Sequence, residues 1–222
     1  MRFRSAALTV TAFAVAMAYL ESAVVVYLQK ALEITPDTLF PLRGSEVAGN
    51  LAAIEVGREF ATLVMLVAIG CLVGRGWVDR LAWTAVAFGV WDVFYYVWLW
   101  VFLGWPHSPN SWDVLFLIPV PWAGPVWAPV MVSGCLIGFG VAAARRVSRG
   151  SMPRVGAVRV LGAIGGGLLV VGSFTANAPS LMSGGEPGWF PWPVFAIGIC
   201  LAGWSAVSSF RAGSESDGGR SG

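Results

Sequence analysis

Apolar runs of about twenty residues recur six times in this sequence, at 6–28, 47–73, 81–103, 125–144, 155–177 and 193–210. A run of that length with few charges crosses the ~30 Å hydrocarbon layer of a bilayer as a helix, because a helix satisfies its own backbone polar groups. Composition agrees: 12% of the residues are charged, against about 25% in soluble domains. The strict alternation of a transmembrane barrel is missing. The sequence therefore predicts an all-α, polytopic membrane protein. Six spans make one domain over 1–210, and a polar, Gly/Ser-rich tail at 211–222 is expected to be disordered. The basic lead MRFRS could open a signal peptide. The apolar run behind it is too long, however, and the best small-residue site, ending at Ala23, puts Glu21 at its −3 position. The first run reads as an uncleaved helix.

Charge at the span ends sets the expected orientation. Arg2, Arg4, Arg75, Arg80, Arg145, Arg146, Arg149, Arg154, Arg211 and Arg220 fall on one side, and only Lys30 and Arg43 on the other. The ten-to-two bias puts both termini in the cytoplasm of a cell membrane, and six spans return the chain to its starting side. Thirteen arginines to one lysine suggest a GC-rich bacterial genome. The loops 29–46, 104–124 and 178–192 should face outward. Trp105, Trp112, Trp122, Trp127, Trp189 and Trp192 gather near that boundary, where tryptophan anchors a helix in the interfacial layer. Within 104–124, Ser111 could cap a short helix over 112–118 that must stop before Pro119. Such a segment can dip into the bilayer only if protein covers its backbone.

Four acids are embedded in the spans: Glu21, Glu55, Glu59 and Asp92. Glu55 and Glu59 stand one helical turn apart, with Arg58 in reach of Glu55. At ~1.5 Å per residue, Glu21 and Glu55 lie roughly 10–12 Å from the outer ends of their helices, and Glu59 and Asp92 roughly 16–18 Å. Level alone thus pairs Glu21 with Glu55 and Glu59 with Asp92. Each embedded charge costs about 2.5–3.5 kcal/mol, so the acids should face a shared interior rather than lipid. Arg58 balances one of them. Protons or a bound cation must balance the others. Thr62, Tyr95 and Tyr96 lie on suitable faces to donate hydrogen bonds, and Tyr96 joins the expected ligand set. His107, Asn110 and Asp113 form a candidate lid from the 104–124 loop.

The leading expectation is a transporter-like protein with a carboxylate site open to the outer face, for a proton, a cation or a small cationic ligand. One alternative is a metal-dependent intramembrane enzyme, in which Glu55, Glu59 and Asp92 would hold a divalent cation. The other is a non-catalytic subunit of a larger complex. A single histidine excludes a bis-histidine haem, paired Glu-x-x-His ligands and an HExxH helix within the chain. Lys30, at a helix end, rules out a mid-membrane Schiff base. The glycines at 162–167 lie inside a span, so they are not a phosphate loop. No basic patch interleaved with aromatics suggests nucleic acid. The second half of the chain carries no embedded acid, which leaves an inverted repeat without chemical support. Cys71, Cys135 and Cys200 read as small packing residues. Gly70/Gly74, Gly134/Gly138 and Gly162/Gly166 are GxxxG pairs suited to close helix packing or to a homo-oligomer.

Overall fold

The structure, a computed structural model, describes residues 2–31, 46–152 and 156–218. Most of the loop expected at 29–46, with Pro36, Pro41 and Arg43, lies outside the described residues, as do Arg154 and Arg220. The chain forms α1 (Phe3–Ala31), α2 (Glu46–Val73), α3 (Trp77–Leu103), β1 (Trp112–Phe116), β2 (Trp122–Pro125), α4 (Trp127–Ser148), α5 (Ala157–Thr175), α6 (Ala178–Met182) and α7 (Trp192–Gly218). Six helices among the described residues are long and apolar enough to cross a membrane. The six expected spans are all present. α7 continues beyond the expected Phe210 end into the polar tail, and α6 occupies part of the 178–192 segment expected as loop.

α3 is the hub, packing most extensively on α4 and α1 and then on α2. α5 and α7 form a second layer that meets the first through β2 and α4. The close approaches are made at glycine. A side chain at Gly89 would meet the Ser133 carbonyl oxygen of α4 at 2.7 Å, and one at Gly166 would meet the Gly198 carbonyl oxygen of α7 at 2.7 Å. Two of the three GxxxG pairs are used inside the chain: Gly70 and Gly74 abut Thr84 and Arg80, and Gly162 and Gly166 abut α7. Gly134 and Gly138 face open space.

One end of the bundle gathers the start of α1, the α2–α3 turn and the end of α4. Phe3 packs on Trp83, and the Arg145 guanidinium lies 5.4 Å above the Phe3 ring. The arginine-rich connections therefore share an end with the N-terminus.

The 104–124 segment departs from expectation. The helix expected over 112–118 is instead a strand, and β1 pairs antiparallel with β2, Asp113 opposite Gly124 and Phe116 opposite Trp122. The physical reason is local. The run is rich in aromatic and β-branched residues, which favour a pleated surface. A seven-residue helix barred by Pro119 could not offset its nucleation cost, whereas a second strand supplies backbone partners. The hairpin enters the bundle. Phe116 packs on Phe88 and Trp91 of α3, and Trp91 lies about 18 Å below the Leu103 end of its helix at ~1.5 Å per residue. Glu59 of α2, which meets the tip at Leu117, lies about 20 Å from its own helix end by the same rise. Both helices thus place the tip near mid-depth.

The tryptophans near the hairpin pack on other rings. Trp105 is buried against Tyr96, Trp112 packs on Phe190, Trp122 on Phe116, and Trp127 stacks on Trp192 at 4.0 Å. Of the six expected anchors only Trp189 is largely exposed, at 67%. Trp112 and Trp122 belong to the hairpin itself, and each of these rings has an aromatic partner.

Candidate functional site

The embedded acids fall into two groups. In the first, α1 and α2 lean together through charge. Glu21 is 3% exposed. One of its carboxylate oxygens pairs with the Arg58 guanidinium, and the other accepts from the Thr62 hydroxyl. Arg58 also donates to Glu55 Oε2 at 2.7 Å. The expected Glu21–Glu55 level pair is thus joined by a guanidinium, not by direct contact. Thr62, expected beside Glu59, turns to Glu21 instead and shares its hydroxyl with the Arg58 carbonyl oxygen. Ser22, one residue along α1, bonds the Tyr95 carbonyl oxygen at 3.0 Å and ties this group to α3.

The second group stands on α3, α4 and the hairpin. Asp92 is buried, and its Oδ2 accepts from the Ser133 hydroxyl at 2.8 Å. Gly89, one turn earlier in α3, permits the approach of α4 that makes this bond. Asp113 is buried too, at 6% exposure, so it is no part of an open lid. Its Oδ1 accepts the Val114 N–H at 2.9 Å. It stands outside the six spanning helices, and burial pushes its carboxyl up to about 7. The neighbouring Tyr96 phenol and the hydrogen bond from the Val114 N–H oppose that rise, and nearby Asp92 adds to it; Oδ2 has no hydrogen-bond partner among the described residues. Tyr95, beside Tyr96, packs its ring on Tyr96 and Trp91. Among the described residues no cation pairs with Asp92 or Asp113.

Glu59 connects α2 to the hairpin. It is buried, and both its oxygens accept the Leu117 backbone N–H, at 3.0 and 2.9 Å. Level had suggested Asp92 as its neighbour, but the two acids take different partners. Glu59 satisfies the backbone donor that a hairpin tip inside a bilayer would otherwise leave unpaired, which costs several kcal/mol in hydrocarbon. Compared with known proteins, the chain matches no family model, no curated protein and no solved structure. The site therefore rests on its own geometry.

Of the other sequence candidates, His107 and Asn110 stay exposed, in a turn around Ser108 and Ser111 that is bonded to the start of α4. Among the described residues no three His, Cys, Asp or Glu side chains converge as ligands for a metal ion. Glu55, Glu59 and Asp92 accordingly do not form the divalent-cation set that the sequence allowed: one is held by a guanidinium, one by a backbone N–H and one by a serine. Sequence reasoning missed three participants. Ser133 had a signal, as the one hydroxyl of the fourth span. The burial of Asp113 and the Leu117 N–H had none, because both depend on the hairpin turning inward.

Proposed function

We propose that this protein moves a proton or a small cation across a cell membrane by protonation and deprotonation of buried carboxylates. The arginine-rich end would lie in the cytoplasm and the carboxylates would be reached from the hairpin side. The observation that carries the reading is the charge balance. Glu21, Glu59, Asp92 and Asp113 are buried and Glu55 is half-buried, yet among the described residues only one guanidinium, Arg58, pairs with any of them. Charges of like sign in a low dielectric cannot all persist, so a mobile positive charge makes up the difference.

Glu59 is the pivot of this reading. Ionised, it holds the hairpin tip through a charge-assisted bond. Protonated, it offers an ordinary one, about half as strong. The charge on Glu59 and the seating of the hairpin, which carries Asp113, against α3 are then coupled, and cation entry loosens that element.

The test is flux into proteoliposomes carrying an internal pH dye, with proton and alkali-cation gradients imposed in turn. Glu59→Gln keeps an acceptor for Leu117 and removes the charge. It should insert normally and lose most of the flux, on the order of a hundredfold for a proton-transfer group. A Glu59→Gln protein that transports at the wild-type rate overturns the reading.

A further inference from the structure

The end of the bundle opposite the hairpin's entry carries a second feature, independent of the carboxylates. A cleft of about 80 Å³ opens there between α1, the α2–α3 turn and the end of α4. Phe3, Val73, Trp83 and Val147 form apolar walls, and Arg75 and Ser148 stand on its lining. Arg145 lies over the Phe3 ring at its side. Arg2, Arg4, Arg80 and Arg149, each next in sequence to a lining residue, are exposed. One carboxylate reaches the cleft, that of Asp79. It is buried and already accepts the Arg75 N–H at 3.0 Å. Asp79 lies in the first turn of α3, where the partial positive charge of the helix N-terminus favours it.

We propose that this cleft binds the headgroup of an anionic phospholipid. The phosphate would sit between Arg75 and Arg145, the glycerol against the Phe3 and Trp83 rings, and the acyl chains along the outer surface of the bundle. The argument is one of complementarity. Among the described residues the exposed charges next in sequence to the lining, and Arg75 on it, are positive, the acid on the lining accepts a backbone N–H, and Phe3, Val73, Trp83 and Val147 add apolar side chains to a lining that is mostly polar. An anionic lipid of the adjoining leaflet has both characters and is held there at high local concentration. A basic residue near an anionic headgroup contributes about fivefold in affinity at membrane surfaces.

The test is native mass spectrometry of the purified full chain, incubated with phosphatidylglycerol or with phosphatidylcholine of the same acyl chains. Phosphatidylglycerol should be retained, and phosphatidylcholine should be at least about fivefold weaker. Arg75→Gln and Arg145→Gln should each lower phosphatidylglycerol retention by about fivefold. Ser148→Trp, at an exposed position on the lining, should do the same by filling the cleft without changing charge. Equal retention of the two lipids overturns the proposal. So does loss in the arginine variants with full retention in Ser148→Trp, which would mean diffuse charge attraction rather than a site. Carboxylate variants such as Glu59→Gln should leave retention unchanged, so this result stands or falls apart from the transport reading.

Discussion

The two acid groups solve one electrostatic problem in different ways. Between α1 and α2, Glu21 and Glu55 share a guanidinium, and a threonine hydroxyl completes Glu21. Between α3, α4 and the hairpin, Asp92 and Asp113 have only neutral donors among the described residues, a serine hydroxyl and a backbone N–H, and Asp113 Oδ2 has none. The first group sets one fixed cation between two acids and ties α1 to α2 through it. The second has no fixed cation among the described residues, and its acids accept only from neutral groups. Two ways of burying carboxylates therefore stand in one membrane domain, told apart by what lies against them. Glu59 lies between the groups in kind, an acid whose partner is the backbone of a segment that could move.

The sharpest way to break this contrast is to remove Arg58. Arg58→Gln leaves Glu21 buried without its cation, and losing one partner of a buried pair costs about 3–5 kcal/mol. Thermal unfolding in detergent should show the largest fall in Tm of any change in the site. The double variant Arg58→Gln/Glu21→Gln should recover most of it, because neither charge is then stranded. If the single variant unfolds at the wild-type temperature, the first group is not held by its guanidinium.

A smaller effect should come from Asp113, and it should appear as pH dependence. The unfolded chain releases this proton near the ordinary 3.8, and the native protein holds it until about 7. Between those values the native state binds more protons than the unfolded state, so stability falls as pH rises through that window and levels off above it. Asp113→Asn should flatten the slope of Tm against pH across about 4–7 and leave the part above it unchanged. A slope unaltered by the substitution would show that Asp113 is charge-matched in the native protein, and the two groups would then differ less than their partners suggest.

How much of this was legible in the sequence follows from what each feature depends on. The six helices were legible because hydrocarbon permits so few structures and twenty apolar residues leave a helix as the single-segment solution. The gathering of Glu21, Glu55 and Arg58 was legible in outline, since consecutive helices neighbour one another and rise per residue gives depth. The partners of Glu59 and Asp92 were not. Depth fixes level but not azimuth, and Asp92 turns toward α4, where Ser133 is the match, while Glu59 turns toward the hairpin. The hairpin itself was hidden by its prolines and tryptophans, which read as an outer loop and an interfacial belt. In the fold those residues form a short sheet with its own aromatic packing, brought inward by contacts with Phe88, Trp91, Phe174 and Phe190 that no local pattern announces.

The smallest effects sharpen the comparison most finely, because they change one neutral donor at a time. Ser133→Ala removes the side-chain hydrogen bond to Asp92 Oδ2 and leaves the acid buried, at a cost of about 1–3 kcal/mol. Thr62→Val removes the corresponding hydroxyl from Glu21, but Arg58 remains, so the cost should be about 1 kcal/mol or less. Neither substitution removes a carbon atom, so their difference reports on the acid rather than on lost apolar packing. Chemical denaturation in mixed micelles should place Ser133→Ala below Thr62→Val in stability. The reverse order would mean that Asp92 draws on a compensating charge and that the second group is as firmly matched as the first. With the expected order, Asp92 depends on a single neutral donor, and the α3–hairpin side is where an incoming positive charge gains most.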